Sequence, residues 1–157
     1  MIDQKFIVDG SDLKNLPLRA SVYARTLGSD SMEMLTSRLD SITKLVREET
    51  TWEPVVWYSD FNRSARCLCE QFELQEMLID ASDSHAFDII VVGRFSQMAR
   101  NSNIIDYLLE DGTLKVPVYC IEEDIIVTSD PDNVKETLMA AAESNIIESE
   151  KMMNLED

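Results

Sequence analysis

Arginines follow two segments that have the pattern of buried strands. Arg25 closes a stretch from Arg19 to Thr26 in which apolar residues alternate, and Arg94 and Arg100 follow the apolar run from Asp88 to Gly93. Binding sites of open α/β sheets lie beyond the carboxyl ends of the strands, so these arginines should share one crevice. A guanidinium is a planar fork that can bind two phosphate oxygens at once. Together the arginines predict a phosphate site, although either one alone is more typical of a solvated strand end.

Several other kinds of chemistry lack the residues that they need. The chain has one histidine, His85, which excludes any mechanism that uses two. The spacing of Cys67 and Cys69 is wrong for a structural zinc site and indicates two ordinary thiols near a loop. The segment from Arg25 to Ser29 has one glycine and no lysine, which argues against a glycine-rich phosphate loop. We therefore expect no metal ion and no cofactor.

The charge balance limits the partners that the chain can bind alone. Across 157 residues, 30 acidic side chains outweigh 14 basic ones, and the formal net charge is −16. Tight non-specific binding to DNA requires many lysines and arginines to neutralise phosphates, so this composition argues against it. The imbalance is largest from Glu122 to Asp157, where eleven acids face two lysines. We interpret that segment as an acidic, solvated surface.

Length and composition fit one globular domain. Hydrophobic residues make up 45% of the chain, with only four glycines and four prolines. No apolar run approaches the ~18 to 20 residues of a membrane-spanning helix, and the N-terminus lacks the pattern of a secretory signal. We expect a cytoplasmic location, which also suits three cysteines that cannot all pair with one another.

Strand and helix patterns alternate along the chain. Residues 1–17 show no sustained period and predict an irregular arm. A capping box of Asp30 and Glu33 should open the first helix, and Asp130 with Pro131 should open the last. The predicted order is strand 19–26, helix to about 46, strand 55–58, helix 70–81, strand 88–93, helix from 102 or 103 to 112, strand 116–121 and helix 130–153.

This alternation predicts an α/β fold: a three-layer sandwich with a mostly parallel sheet of four to five strands and a long C-terminal helix. We divide the chain into the arm (1–17), an α/β domain (18–128) and the C-terminal helix (129–157).

The segment from Tyr23 to Leu27 resembles the Tyr-x-Arg-x-Ser signature of the resolvase/invertase-type serine recombinases, at the end of their first strand. Three further motifs follow in the order and spacing of that family. They are an aspartate that ends the second strand, a loop of the form Leu-Asp-Arg-Leu-x-Arg after the third strand, and a Glu-x-Glu-Arg stretch on the long helix. Their counterparts here are Asp60, Phe95 to Arg100, and Glu148 to Lys151. The resemblance covers residues 19–153 and implies a resolvase-like catalytic domain for site-specific DNA recombination.

The resemblance also assigns roles to positions. Family members attack a DNA phosphate with the signature serine and neutralise the developing charge with arginines. Tyr23, Arg25 and Arg100 match the family pattern. Leu27 stands where the nucleophilic serine belongs, Ser96 where the aspartate belongs, and Gln97 where the neighbouring arginine belongs. Gln71 aligns with a further arginine at the start of the second helix.

These departures predict a catalytically silent homologue whose crevice has lost its positive field and which acts through protein assembly or regulation. The competing hypothesis is an active recombinase domain in which a displaced serine, Ser29 or Ser31, replaces the nucleophile. An unrelated α/β binding domain with coincidental motifs is a third possibility.

The long helix supplies the expected partner surface. Its first half, Val134 to Ala142, should pack on the sheet. The apolar second half, Ile146 to Leu155, predicts a homodimer or hetero-oligomer, because so broad an apolar face needs a partner to cover it. Family members continue beyond this helix into a DNA-binding domain, and the sequence leaves open whether one follows here. We expect DNA contact only if a basic domain follows or a partner supplies it, and no contact with a membrane.

Overall fold

A computed structural model describes the backbone of residues 2–28 and 30–156. Within these residues lie six strands and four α-helices. The strands are β1 (Ile7–Val8), β2 (Arg19–Arg25), β3 (Glu53–Asp60), β4 (Ile89–Val92), β5 (Val118–Cys120) and β6 (Ile125–Val127). The helices are α1 (Met32–Glu49), α2 (Phe72–Asp83), α3 (Ser102–Leu109) and α4 (Val134–Glu156). None of the helices in these described residues is both long and apolar enough to cross a membrane.

The strands form one sheet in the order β1-β6-β5-β4-β2-β3. The four strands from β2 to β5 are parallel, whereas β6 runs antiparallel to β5 and to β1. The α/β sandwich and its long C-terminal helix are therefore confirmed. The sheet has six strands and not the predicted four to five, because β1 and β6 are too short to produce a period-2 pattern. One of them, Ile7–Val8, lies inside the segment that we described as an irregular arm.

The two faces of the sheet are covered by different helices. Successive side chains of a strand point to opposite faces, and β2 and β4 are buried on both. Ala20 and Val22 contact a core that includes Val46 of α1 and Leu138 of α4. Tyr23 lies in the opposite core, where α2 and α3 pack. The division of the chain into arm, domain and terminal helix stays a prediction.

The openings of two helices differ from the predicted ones. Ser31, not Asp30, is the N-cap of α1, and its hydroxyl accepts a hydrogen bond from the Met34 N–H at 3.2 Å. The Asp30 carboxylate instead accepts from Arg38 at 3.4 Å. The last helix begins at Val134 because residues 131–133 form a turn, so Pro131 precedes the helix instead of opening it.

A polar cluster ties α4 to the amino end of the sheet. Arg19, the first residue of β2, donates to the Asp88 carboxylate from its backbone N–H at 2.9 Å and from its guanidinium at 3.0 Å. Asn145 of α4 donates to the same carboxylate at 3.0 Å and to the Pro17 carbonyl at 2.8 Å. Burial alone would raise the pKa of Asp88, but the hydrogen bonds from Arg19 and Asn145 outweigh it and lower the pKa below the ordinary value. This carboxylate therefore holds α4 against the sheet.

The depressed pKa predicts a pH-dependent contribution to stability. Asp88→Asn should lower the free energy of unfolding at neutral pH by about 1 kcal/mol or more, because a charge-assisted network becomes neutral. The folded-state pKa lies below the unfolded value near 3.8, so the difference should be constant above that pH. It should vanish as the pH falls through the folded pKa. Urea unfolding of both proteins from pH 7 to pH 3 measures it.

The matched control is Asp40→Asn, on the exposed side of α1. That substitution should change stability by less than about 0.5 kcal/mol at every pH. A difference for Asp88→Asn that persisted unchanged at the acidic end would show that the ionised carboxylate is not the stabilising species.

Candidate functional site

A buried tyrosine and aspartate join β2, β3 and α2 at the carboxyl end of the sheet. Tyr23 is fully buried, and its hydroxyl donates to the Asp60 carboxylate at 2.7 Å. That carboxylate also accepts the backbone N–H groups of Glu73 and Leu74 at 3.0 and 3.2 Å. Asp60 thus satisfies two of the free N–H groups of the first turn of α2, where a helix favours negative charge. Burial, reinforced by Asp60, raises the pKa of Tyr23 well above its usual range, so the tyrosine stays protonated and keeps donating.

Gln71, the position that the resemblance aligns with an arginine, is buried beside this pair. Its amide nitrogen donates to the Tyr23 hydroxyl at 3.2 Å and to the Met98 carbonyl at 3.0 Å. Its amide oxygen has no hydrogen-bond partner among the described residues. Gln71 therefore links the start of α2 to the loop after β4 with a neutral group.

Arg25 occupies the end of β2 and is only 4% exposed. Its Nε donates to the Gln97 carbonyl at 3.1 Å and its Nη1 to the Arg63 carbonyl at 2.9 Å. The backbone N–H of Arg25 donates to the Gln97 side-chain oxygen at 3.0 Å. Burial is the largest cause that lowers the pKa of Arg25, and the nearby cations Arg100 and Arg38 act in the same direction. This guanidinium braces the loops after β3 and β4 against each other.

Leu27 lies two residues beyond the end of β2, and its apolar side chain is 45% exposed. The nearest hydroxyl, that of Thr26, is buried and accepts the N–H of Asn62 at 3.0 Å. Ser31, one of the two alternative serines, serves as the N-cap of α1. Ser29, the other alternative, lies outside the described residues. No described serine therefore stands free at the strand end beside Leu27.

Further arginines surround this point. Arg38 of α1 donates to the Arg25 carbonyl at 2.7 Å. Arg63 and Arg66 lie exposed on the loop after β3, where the Arg63 guanidinium stacks 5.3 Å from the Phe72 ring. Arg100 is exposed, and its backbone N–H donates to Ala65 of that loop at 3.0 Å. The expected loss of the positive field stays a prediction, because Arg38 is paired with Asp30.

Arg38, Arg63 and Arg66 were missed as site residues, although a signal for them existed. Arg63 and Arg66 follow the predicted end of β3, which lies at the same edge of the sheet as Arg25. Arg38 is harder to find from the sequence, because only the packing of α1 on the sheet brings it to the Arg25 carbonyl.

The residues after β4 divide between two clefts. Gln97 lines a cleft of about 440 Å³ together with Tyr23, Arg38 and Arg94. Ser96 and Arg100 line a second cleft of about 420 Å³ that also contains Glu123. The structure brings Tyr23, Arg25, Gln71 and Gln97 into direct contact, and it places Ser96 and Arg100 at the neighbouring surface. Within the described residues, no three histidine, cysteine or carboxylate side chains are grouped to hold a metal ion.

The fold is similar to those of two solved catalytic domains. It matches the N-terminal catalytic domain of TP901-1 integrase with a TM-score of 0.55 and 21% identity, over 84% of this chain and 97% of that one. It matches the C-terminal catalytic domain of ISC1926 TnpA, an IS607-like serine recombinase, with a TM-score of 0.53 and 19% identity, over 66% and 68% of the two chains. No protein family and no curated protein matches the sequence.

The chain has the fold of a serine recombinase catalytic domain. This confirms the resolvase-like fold that the motifs implied. At these identities the likeness shows the fold, and the roles of the crevice residues have to be argued from their own contacts.

The bracing role of Arg25 predicts unequal effects of one substitution at two positions. Arg25→Met should lower the free energy of unfolding by about 2 kcal/mol, because two half-buried carbonyls lose a charged donor. Arg100→Met, at an exposed position, should change it by less than about 0.5 kcal/mol. Urea unfolding monitored by circular dichroism measures both. Equal, small effects would show that Arg25 is not a structural brace.

Proposed function

We propose that this chain is a catalytically silent recombinase-like domain that acts by assembling with protein partners. The observation that carries the proposal is the side chain of Leu27. The resemblance assigns the nucleophile to this position at the end of β2, and the chain presents an exposed apolar group there. Leucine has no lone pair, so it cannot attack phosphorus or carry a covalent DNA intermediate.

The surrounding groups support a silent crevice. The hydroxyl of Thr26 is buried, and the hydroxyl of Ser31 caps α1, so using either as a nucleophile would cost a native contact. The guanidinium of Arg25 already has two carbonyl partners. A phosphate would have to compete with both of them for a buried side chain. Loss of one preorganised charge-stabilising donor costs on the order of 10² to 10³ in rate in other enzymes.

The crevice is therefore better suited to binding than to catalysis. Arg63, Arg66 and Arg100 remain exposed and can meet an anionic group. The net charge of −16 opposes the long-range approach of a polyanion such as DNA. We propose that DNA contact, if it occurs, needs a basic domain or a basic partner.

The second half of α4 supports assembly. Val134, Leu138 and Ala142 are buried against the sheet, whereas Ile146 and Met153 are 48% and 67% exposed. Ile147 and Met152 are also exposed. Among the described residues, Asn145 is the last of α4 with a hydrogen bond to the body of the domain. Ile146 and Met153 lie seven residues apart, on one apolar face of α4 beyond it. We propose that a second copy or a related recombinase domain covers it, and methionines suit an imperfectly matched partner.

The hypothesis that the domain is catalytically silent is tested by a search for a covalent adduct with DNA. Wild type, Ser29→Ala and Leu27→Ser proteins are incubated with supercoiled plasmid that carries the DNA flanking the gene. Relaxation is followed by gel, and adducts are followed by denaturing electrophoresis of end-labelled fragments. Wild type should give neither product. A wild-type adduct that Ser29→Ala abolishes would establish the active alternative.

Assembly is tested by light scattering on the full chain. The double variant Ile146→Lys, Met153→Lys should convert an oligomer into a monomer, because two charges would have to be buried in the contact. Met139→Lys is the matched control, since Met139 is exposed on the first half of the same helix. The control should keep the oligomer. The same monomeric mass for all three proteins would contradict assembly of the chain with itself.

A further inference from the structure

Two cysteines in the loop after β3 are joined. Cys67 and Cys69 form a disulfide across Leu68, with their Cα atoms 5.2 Å apart. This separation lies inside the usual range for disulfides. The sequence indicated two ordinary thiols. A spacing of two residues does not by itself show whether a turn brings the two sulfurs together. Here the 3₁₀ turn Leu68–Glu70 follows directly after Cys67 and brings the two sulfurs together.

The loop that carries this bond supports the arginines of the crevice. The Arg63 carbonyl accepts from the Arg25 side chain at 2.9 Å, and the Ala65 carbonyl accepts the Arg100 N–H at 3.0 Å. The loop is held on its other side by α2, because Gln75 donates to the Leu68 carbonyl at 2.6 Å. The disulfide closes a short ring around Leu68 and so reduces the number of conformations that the loop can adopt.

We propose that Cys67 and Cys69 are a reversible thiol–disulfide site, and that its oxidation state sets the order of residues 61–71 and their support for Arg25 and Arg100. Cys69 is exposed and Cys67 is half-buried, so the pair is accessible from solvent. Exposed disulfides are the ones that exchange readily, in contrast to those enclosed in a core. The proposal stands independently of whether the crevice is silent.

The chemistry balances with a small-molecule disulfide such as oxidised glutathione. The thiolate of exposed Cys69 attacks one glutathione sulfur, which forms a mixed disulfide and releases one glutathione thiolate. The thiolate of Cys67 then attacks the Cys69 sulfur and releases the second glutathione. Two protein thiols lose two electrons and two protons in total, and one glutathione disulfide becomes two thiols. Reduced glutathione runs the same steps in reverse.

Cys120 provides an internal reference. It is fully buried in β5, and burial raises the pKa of its thiol far above the usual range. A buried thiol of this kind reacts poorly, so Cys120 does not compete for the pair.

The redox step is tested by alkylation and mass spectrometry of the native protein in glutathione buffers. Cys67 and Cys69 should be blocked together in excess oxidised glutathione and become alkylated together in excess reduced glutathione. Cys120 should be alkylated only after denaturation in either buffer. A pair that stayed a dithiol in the oxidising buffer, or a disulfide in the reducing one, would overturn the proposal.

The structural consequence is tested by hydrogen exchange. Reduction should accelerate exchange several-fold in peptides that cover residues 61–71 and 97–101, and it should leave the buried strand β4 unchanged. The double variant Cys67→Ser, Cys69→Ser should exchange like the reduced wild type in both buffers. Identical exchange in oxidised wild type and in the double variant would show that the bond does not order the loop.

Discussion

The carboxyl end of this sheet depends on one buried carboxylate, that of Asp60. It accepts the Tyr23 hydroxyl and two N–H groups from the first turn of α2, so three elements meet at one anion. A buried carboxylate is tolerated only when it is fully hydrogen-bonded, and here the helix terminus supplies much of that compensation. With β3 and α2 held in this way, the loop between them has fixed ends. Its carbonyls can then receive Arg25.

Arg25 keeps the residue type that the family uses at this position, but its side chain has a structural role here. The resemblance to serine recombinases gives this position an arginine that meets a DNA phosphate, and the same side chain here donates to the Gln97 and Arg63 carbonyls. Gln97 stands in the loop after β4 where the family has an arginine, and its side-chain oxygen accepts the backbone N–H of Arg25. Polar groups that would face a ligand thus satisfy one another. Arg63, Arg66 and Arg100 remain exposed farther out.

Much of the fold follows from patterns that the sequence displays openly. Two segments illustrate this. A continuous apolar run from Asp88 to Gly93 predicts β4, because a strand buried on both faces is apolar throughout. The apolar residues from Leu35 to Val46 recur every three or four positions and predict α1, because a helix buried on one face has this period. The strands Ile7–Val8 and Ile125–Val127 were missed because two or three residues cannot show a period. Long-range pairing creates them. The cap of α1 was placed one residue early because Asp30 and Ser31 are both good caps, and only the contact of Asp30 with Arg38 decides between them.

The sequence places Tyr23 and Arg25 at the end of one strand, but it does not give their contacts. The order of Tyr23, Arg25 and Arg100 along the chain predicts a shared strand end, whereas the direction of each side chain depends on loops with no repeating pattern.

The central claim is that Arg25 is committed to carbonyls and does not bind phosphate. Nitrogen-detected NMR of the arginine Nε–H groups tests it most directly, during a titration with pyrophosphate. The Arg25 signal should exchange slowly with solvent and stay unshifted while the signals of Arg63 and Arg100 move. A shift of the Arg25 signal that saturates together with theirs would contradict the account.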